Sequence, residues 1–225
     1  MVKKNIKRKR EQLKKNIYSK KNQSKQFFGI VITLAALLLL FIGSYLFFQS
    51  KKSFVYEGLS FNKEKFGQIP VFHYSYFFKD LEGNQYEYNL YLRNDPRKNA
   101  VPMTGEVLYT IGVPVYISIN STGLNKCPQS SIAIADLTSF LSDNLLVVKS
   151  GVPDDFIAKE LNRTYATCDT HPDNVVILIK EGTNTIITKK NNCYVIEVAN
   201  CEILPAIEKF KTQSVINAKS RNKLR

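Results

Sequence analysis

The chain has 225 residues, 44% of them hydrophobic, and a formal net charge of +13. Residues 1–26 hold eleven of the 32 Lys and Arg beside one acid, Glu11, giving that segment +10; the rest of the chain has 21 basic and 18 acidic residues, so only +3. The high pI therefore belongs to the tail, and no nucleic-acid partner is expected for the folded part.

The tail, Lys3–Lys25, reads as a cytoplasmic topology signal. Holding anionic headgroups, at about 1 kcal/mol per basic residue near a surface, or RNA phosphates is the alternative. Aromatic interleaving of the kind that stacks bases is limited to Tyr18.

Residues 27–48, FFGIVITLAALLLLFIGSYLFF, contain no charge and no proline. About 20 apolar residues span a bilayer core as a helix. A secretory h-region is shorter, about 7–15 residues, and ends at a small-residue cleavage site. Here Gln49-Ser50-Lys51-Lys52 follows, so an uncleaved signal anchor is expected. The Lys and Arg excess before the run places the N-terminus inside and the remainder outside. The expected partner of residues 27–48 is membrane lipid.

Residues 49–68, broken by Gly58, Asn62 and Gly67, suggest a linker whose Phe54, Tyr56, Leu59, Phe61 and Phe66 tuck against the domain or the membrane. The expected domain covers 69–218. Residues 70–92 read as a β-hairpin. Val71–Lys79 is aromatic, Tyr86, Tyr88, Leu90 and Leu92 alternate with polar residues, and Leu81-Glu82-Gly83-Asn84 turns the chain. After the polar turn Arg93–Arg97, strands and helices alternate. Strands are expected at Pro114–Ile119, Leu145–Lys149 and Val175–Ile179. Ser130–Leu141 forms a helix capped by Ser130 or Ser131. A second helix opens at Pro153, with Asp154 and Asp155 in its first turn and Ile157, Leu161 and Tyr165 on its buried side. Thr185–Thr188 returns antiparallel, Tyr194–Val198 forms the last strand, Leu204–Ala218 a final helix, and 219–225 a disordered end. The expected fold is α/β, a mixed sheet with flanking helices, preceded by one transmembrane helix.

All four cysteines, Cys127, Cys168, Cys193 and Cys201, follow the apolar run. An even number outside the membrane favours disulfides. Strand polarity constrains the pairing. Cys127 follows the first parallel strand and Cys201 ends the last, so both lie at the carboxyl ends. Cys168 and Cys193 precede strands and lie at the amino ends. Bridged Cα atoms lie within about 7 Å, so Cys127–Cys201 and Cys168–Cys193 are expected. Cys127–Cys168 with Cys193–Cys201 is the alternative if the order of elements differs.

No G-x-S-x-G, H-E-x-x-H or P-loop pattern occurs. His73 reads as a packed strand residue. Asp169, His171 and Asp173 resemble a metal triplet, but a capped turn explains them as well, and neither metal nor cofactor is expected. Arg93, Asp95 and Arg97 form a candidate anion-binding corner, with a salt-bridged turn as its plain account. Asp136, Asp154, Asp155 and Glu202 complete the candidate ligand-binding set. The last three belong with Ser121, Thr122, Ser130 and Ser131 to the carboxyl rim of the strands, where open α/β sheets bind ligands. Asn120-Ser121-Thr122 and Asn162-Arg163-Thr164 are glycosylation sequons.

Three stretches carry a likeness. They are Tyr91-Leu92-Arg93-Asn94-Asp95-Pro96-Arg97, Ile132-Ala133-Ile134-Ala135-Asp136-Leu137, and Asn200-Cys201-Glu202-Ile203 with Glu208-Lys209-Phe210. Together they make residues from about 90 to 210 resemble uncharacterised archaeal single-pass membrane proteins. The resemblance implies an anchored extracytoplasmic α/β domain and adds no catalytic residue. The expected function is a binding or envelope-organising protein with protein partners at the cell surface. A cell-envelope hydrolase or transferase and a single-pass sensor are the competing readings.

Overall fold

The structure, a computed structural model, describes residues 28–29, 31–45, 52–80, 82–110 and 112–223. The chain divides into two units, Met1–Lys52 and Ser53–Arg225.

In the first unit, residues 28–29 and 31–45 are helical (α1), and their side chains are exposed throughout. Leu40 is 72% and Phe41 74% exposed. The Thr33 hydroxyl donates to the Gly29 carbonyl and the Ser44 hydroxyl to the Phe41 carbonyl, each at 2.9 Å. Among the described residues no helix is long and apolar enough to cross a membrane. The basic tail 1–26, and residues 27, 30 and 46–48 of the expected span, lie outside the described residues.

The second unit begins earlier than expected. Where a linker was read, β1 (Ser53–Tyr56) and β2 (Leu59–Phe66) pair antiparallel, with Leu59 and Phe61 fully buried. Glu57 and Gly58 both have positive φ, the backbone of a tight hairpin turn. Gly58 and Gly67 therefore turn strands rather than interrupt a linker. β3 (Ile69–Lys79) and β4 (Gln85–Leu92) complete a four-stranded antiparallel sheet in the order β1-β2-β3-β4. In the β3–β4 turn the Asp80 carboxylate accepts from the Glu82 and Asn84 amides at 2.9 and 2.8 Å. Alternation along these strands gathers aromatics on one face: Phe54 on Phe61, Phe61 on Tyr74, Tyr74 on Tyr76 and Tyr76 on Tyr88, with centroids 5.5 to 5.9 Å apart.

The second sheet has six strands in the order β7-β6-β5-β8-β10-β9. These are β5 (Val115–Ile119), β6 (Val148–Val152), β7 (Thr164–Tyr165), β8 (Val175–Glu181), β9 (Ile186–Lys190) and β10 (Cys193–Val198). β7, β6, β5, β8 and β10 run parallel and only β9 is reversed. β6 starts three residues later than the sequence suggested because Leu145 takes a left-handed turn, φ 62°, at the helix end. Segment 101–110 covers the β9 edge: the Thr104 amide donates to the Ile187 carbonyl at 2.9 Å and the Ile187 amide to the Pro102 carbonyl at 3.0 Å. The Tyr194 hydroxyl holds that segment by accepting from the Leu108 amide at 2.7 Å and donating to the Glu106 carbonyl at 3.1 Å.

The helices α2 (Ser130–Asp143) and α4 (Ile203–Lys223) lie between the sheets, while the short α3 (Asp155–Glu160) joins β6 to β7. No side chain caps α2, because Ser130 is buried and its hydroxyl donates to the Leu124 carbonyl instead. α3 is too short to bury Leu161 and Tyr165, which are exposed. Asn162 falls in a left-handed turn after it rather than on a helix. α4 extends to Lys223 where a disordered end was expected. It is buried on nearly every side. Ile207 and Phe210 are fully buried, Phe210 meeting Tyr194 edge-on at 5.3 Å, and Glu208, Lys211, Thr212 and Ser214 are buried as well. Filling such a position with Phe contributes about 3 kcal/mol. Residues from both sheets and both helices form one core. A second cluster, Tyr116, Ala166, Val176 and Cys193, covers part of the far face of the six-stranded sheet.

Both expected bridges are present. Cys127–Cys201 has its Cα atoms 5.2 Å apart and Cys168–Cys193 5.4 Å apart. Cys201 and its neighbour Asn200 both have positive φ, so the chain reverses sharply from β10 into α4 at a backbone cost the bridge helps to offset.

Candidate functional site

The parallel strands fan out in both directions from the β5–β8 pair, which makes the carboxyl ends of β5 and β8 the place where such a sheet opens. Here it is closed. Cys127–Cys201 crosses the rim, the Ser130 hydroxyl is bonded at 2.6 Å, and a Cβ at Gly123 would run into the Glu181 carboxylate. The loop from β5 to α2 therefore packs where a ligand would sit.

The candidate residues do not converge. Asp154 caps α3 by accepting from the Ile157 amide at 3.0 Å, and Asp155 pairs with Lys159 on the same helix. Arg97 forms a fork on Asp95 at 3.0 and 2.6 Å and lies 3.8 Å over the Phe54 ring, so the Arg93–Arg97 corner is the salt-bridged turn. Arg97 holds the Asp95 carboxyl below the usual carboxylate range, which makes it a poor proton donor. Asp95 and Glu202 line a polar cleft of about 420 Å³ with Lys98 and Thr185. Arg93 and Asp136 line another, of about 320 Å³. Asp136 is partly exposed, and its carboxylate receives the buried Lys211 ammonium at 2.6 Å.

Glu208 is a functional-looking group that the sequence did not single out. It is 2% exposed, accepts from the Arg93 amide, and accepts from the Asn94 amide and side chain at 3.1 and 2.7 Å. Burial raises its carboxyl, while those bonds and Lys211 pull it back down. Its oxygens are occupied in pinning the 93–94 turn to α4, a structural task.

Among the described residues, no group of three His, Cys, Asp or Glu is placed to hold a metal. His171 bonds Thr170 at 2.9 Å and packs 4.3 Å from the Tyr116 ring. His73 bonds Glu64 and Asn89, each at 2.8 Å, and stacks on Tyr91.

A different feature lies at the opposite, amino end of the strands. There the β3–β4 hairpin reaches past the core and overhangs the ends of α2 and α4. Beneath it is a cavity of about 430 Å³, lined by Tyr74, Tyr76, Phe77 and Phe78 from the hairpin, Phe140, Asn144 and Leu146 from the end of α2, Tyr109, and Ser214, Val215, Ala218 and Lys219 from α4. The volume falls within the range of small-molecule sites. Its polar atoms are mutually partnered: the Tyr76 hydroxyl donates to Asn144 Oδ1 at 2.6 Å and the Ser214 hydroxyl to Tyr109 at 3.3 Å. Burial, above all, pushes the Tyr76 and Tyr109 phenols well up, so both stay protonated. The lining holds no acid and no histidine, and its one charge is Lys219. The lining is mostly aromatic and aliphatic, with its polar groups confined to hydroxyls, one amide and Lys219.

The sequence showed these aromatics as strand residues. It carried no sign that a second sheet and α4 would leave space beside them. No family model, curated protein or solved structure matches the chain.

Proposed function

We propose that this chain is a membrane-tethered extracytoplasmic binding domain. Residues 27–48 are retained in the bilayer, the basic tail 1–26 is cytoplasmic, and the unit from Ser53 onward acts outside. The observation that carries the binding reading is the aromatic cavity at the amino ends of the strands, whose partnered hydroxyls and lack of acids suit retention of a ligand rather than its conversion.

Support for the tether comes from the uncharged run of 22 residues and from the Lys and Arg excess before it. In the described part of that run, α1, the Thr33 and Ser44 hydroxyls bond the helix's own backbone, which suits a hydrocarbon surrounding. Two disulfides in the second unit indicate an oxidising compartment.

Two measurements test the proposal. Protease added to intact cells should remove the domain and leave an anchor carrying the tail; sparing of the domain until the cells are lysed would end the topology. Full-length protein in lipid nanodiscs should bind the uncharged fluorophore N-phenyl-1-naphthylamine with a saturable component that Ala218→Trp removes. Partitioning identical to that of empty nanodiscs would end the binding reading.

A further inference from the structure

Resting on the binding-domain reading, we infer that the cavity beneath the β3–β4 hairpin holds the hydrocarbon chain of a single-chain, monoanionic amphiphile drawn from the membrane, a long-chain carboxylate, with Lys219 at its head group. The chemistry of the lining separates into an interior and a mouth. In the interior, Tyr76 and Tyr109 have their hydroxyls tied to Asn144 and Ser214. Among the described residues no buried side-chain nitrogen or oxygen lacks a partner. The interior therefore offers mainly dispersion and water exclusion, with its hydroxyls already paired and one O–H of the Tyr109–Ser214 pair left as a spare donor. A ligand part bearing amides or hydroxyls would lose its own hydrogen bonds there, whereas a hydrocarbon chain loses nothing.

The mouth has one charge. Lys219 is half-buried, donates to the Gly58 carbonyl at 2.8 Å, and reaches the Tyr74 hydroxyl at 3.5 Å. An ammonium has three N–H donors, so one remains for an anion. Lys219 is the one charged side chain among the twelve lining residues, so an anion placed against it meets no lining carboxylate. A single cation suits one negative charge. Volume limits the rest: at roughly 30 Å³ per water-sized unit, about that of a methylene, a cavity of about 430 Å³ takes one chain of about 14 carbons and not two. A bilayer adjoining the tether would supply such molecules.

Photo-crosslinking tests the inference in full-length protein in nanodiscs, using a diazirine-bearing palmitate and the matching diazirine alcohol. Palmitate should label peptides containing Phe140–Leu146 and Ser214–Lys219. Referred to their free aqueous concentration, saturated carboxylates should compete with a gain of about fourfold per added methylene up to about C14, then level off. Lys219→Met should cut labelling by palmitate about tenfold and leave labelling by the alcohol unchanged, which also reports that the cavity is intact. Equal labelling by acid and alcohol in the wild type would overturn the head-group assignment. Labelling elsewhere, or competition by a flat aromatic but not by myristate, would overturn the chain assignment. In each of those cases, saturable naphthylamine binding would still show that the domain binds ligands.

Discussion

Removing the disulfides one at a time should lower stability by amounts set by the loops they close. The Cys168–Cys193 bridge spans 25 residues and lies inside the Cys127–Cys201 bridge, which spans 74. With the inner bridge in place, the outer loop is shortened to roughly 50 residues. Chain entropy then assigns about 3.5 kcal/mol to the inner bridge and about 4 kcal/mol to the outer. The two differ little because doubling a loop adds only about 0.6 kcal/mol. Native stabilities of about 5–15 kcal/mol leave room for the loss of one bridge but scarcely of both. The chain has 12 Tyr and no Trp, so tyrosine fluorescence can follow urea unfolding of the full-length protein. With m about 2 kcal/mol/M, Cys127→Ala with Cys201→Ala should lower the midpoint by about 2 M, and Cys168→Ala with Cys193→Ala by slightly less. All four substitutions together should leave the domain largely unfolded in buffer. An unchanged midpoint in either pair, or a wild type indifferent to reductant, would refute the reasoning.

The buried ion pair predicts an asymmetry. Asp136→Asn leaves the Lys211 ammonium buried without its carboxylate and should cost about 3 kcal/mol, whereas Lys211→Met leaves Asp136 partly solvated but Glu208 without its cation and should cost about half as much; equal losses in thermal melts would contradict this. Glu208 gives a pH signature. Its folded-state pKa is raised above the ordinary 4.5 by burial, so its contribution to stability is full below 4.5 and is lost as pH rises through the folded value. Urea midpoints should therefore show a downward slope with pH above 4.5 that Glu208→Gln removes. That substitution should also cost about 1–3 kcal/mol at every pH, because a carboxamide cannot accept from both the Arg93 and Asn94 amides.

What could be read from the residues was local or followed from strand polarity. Val175–Ile179 announces a central strand by its unbroken apolar run, and the direction of each strand is enough to sort the cysteines into two ends and hence two pairs. The hairpin β1–β2 was hidden because Gly58 and Gly67 mark a turn and a linker equally well, and only pairing with β3 distinguishes them. A helix with this many polar residues ordinarily turns one face to solvent. Packing between two sheets buries Glu208, Lys211, Thr212 and Ser214 instead, each satisfied by a partner far away or within the helix. The rim expectation followed from single open sheets. Between β5 and β8 that rim is filled by Cys127–Cys201 and the loop around Gly123, Glu202 alone of its acids lining a cleft, while the aromatic cavity arises between β3 and the ends of α2 and α4.

Placing α4 between the sheets has a consequence for biogenesis. Residues 203–223 emerge from the ribosome after every strand they cover, so neither inner face can be completed while synthesis is still in the strands. A chain built this way keeps both inner faces open until α4 arrives, and its two bridges lock an already completed core.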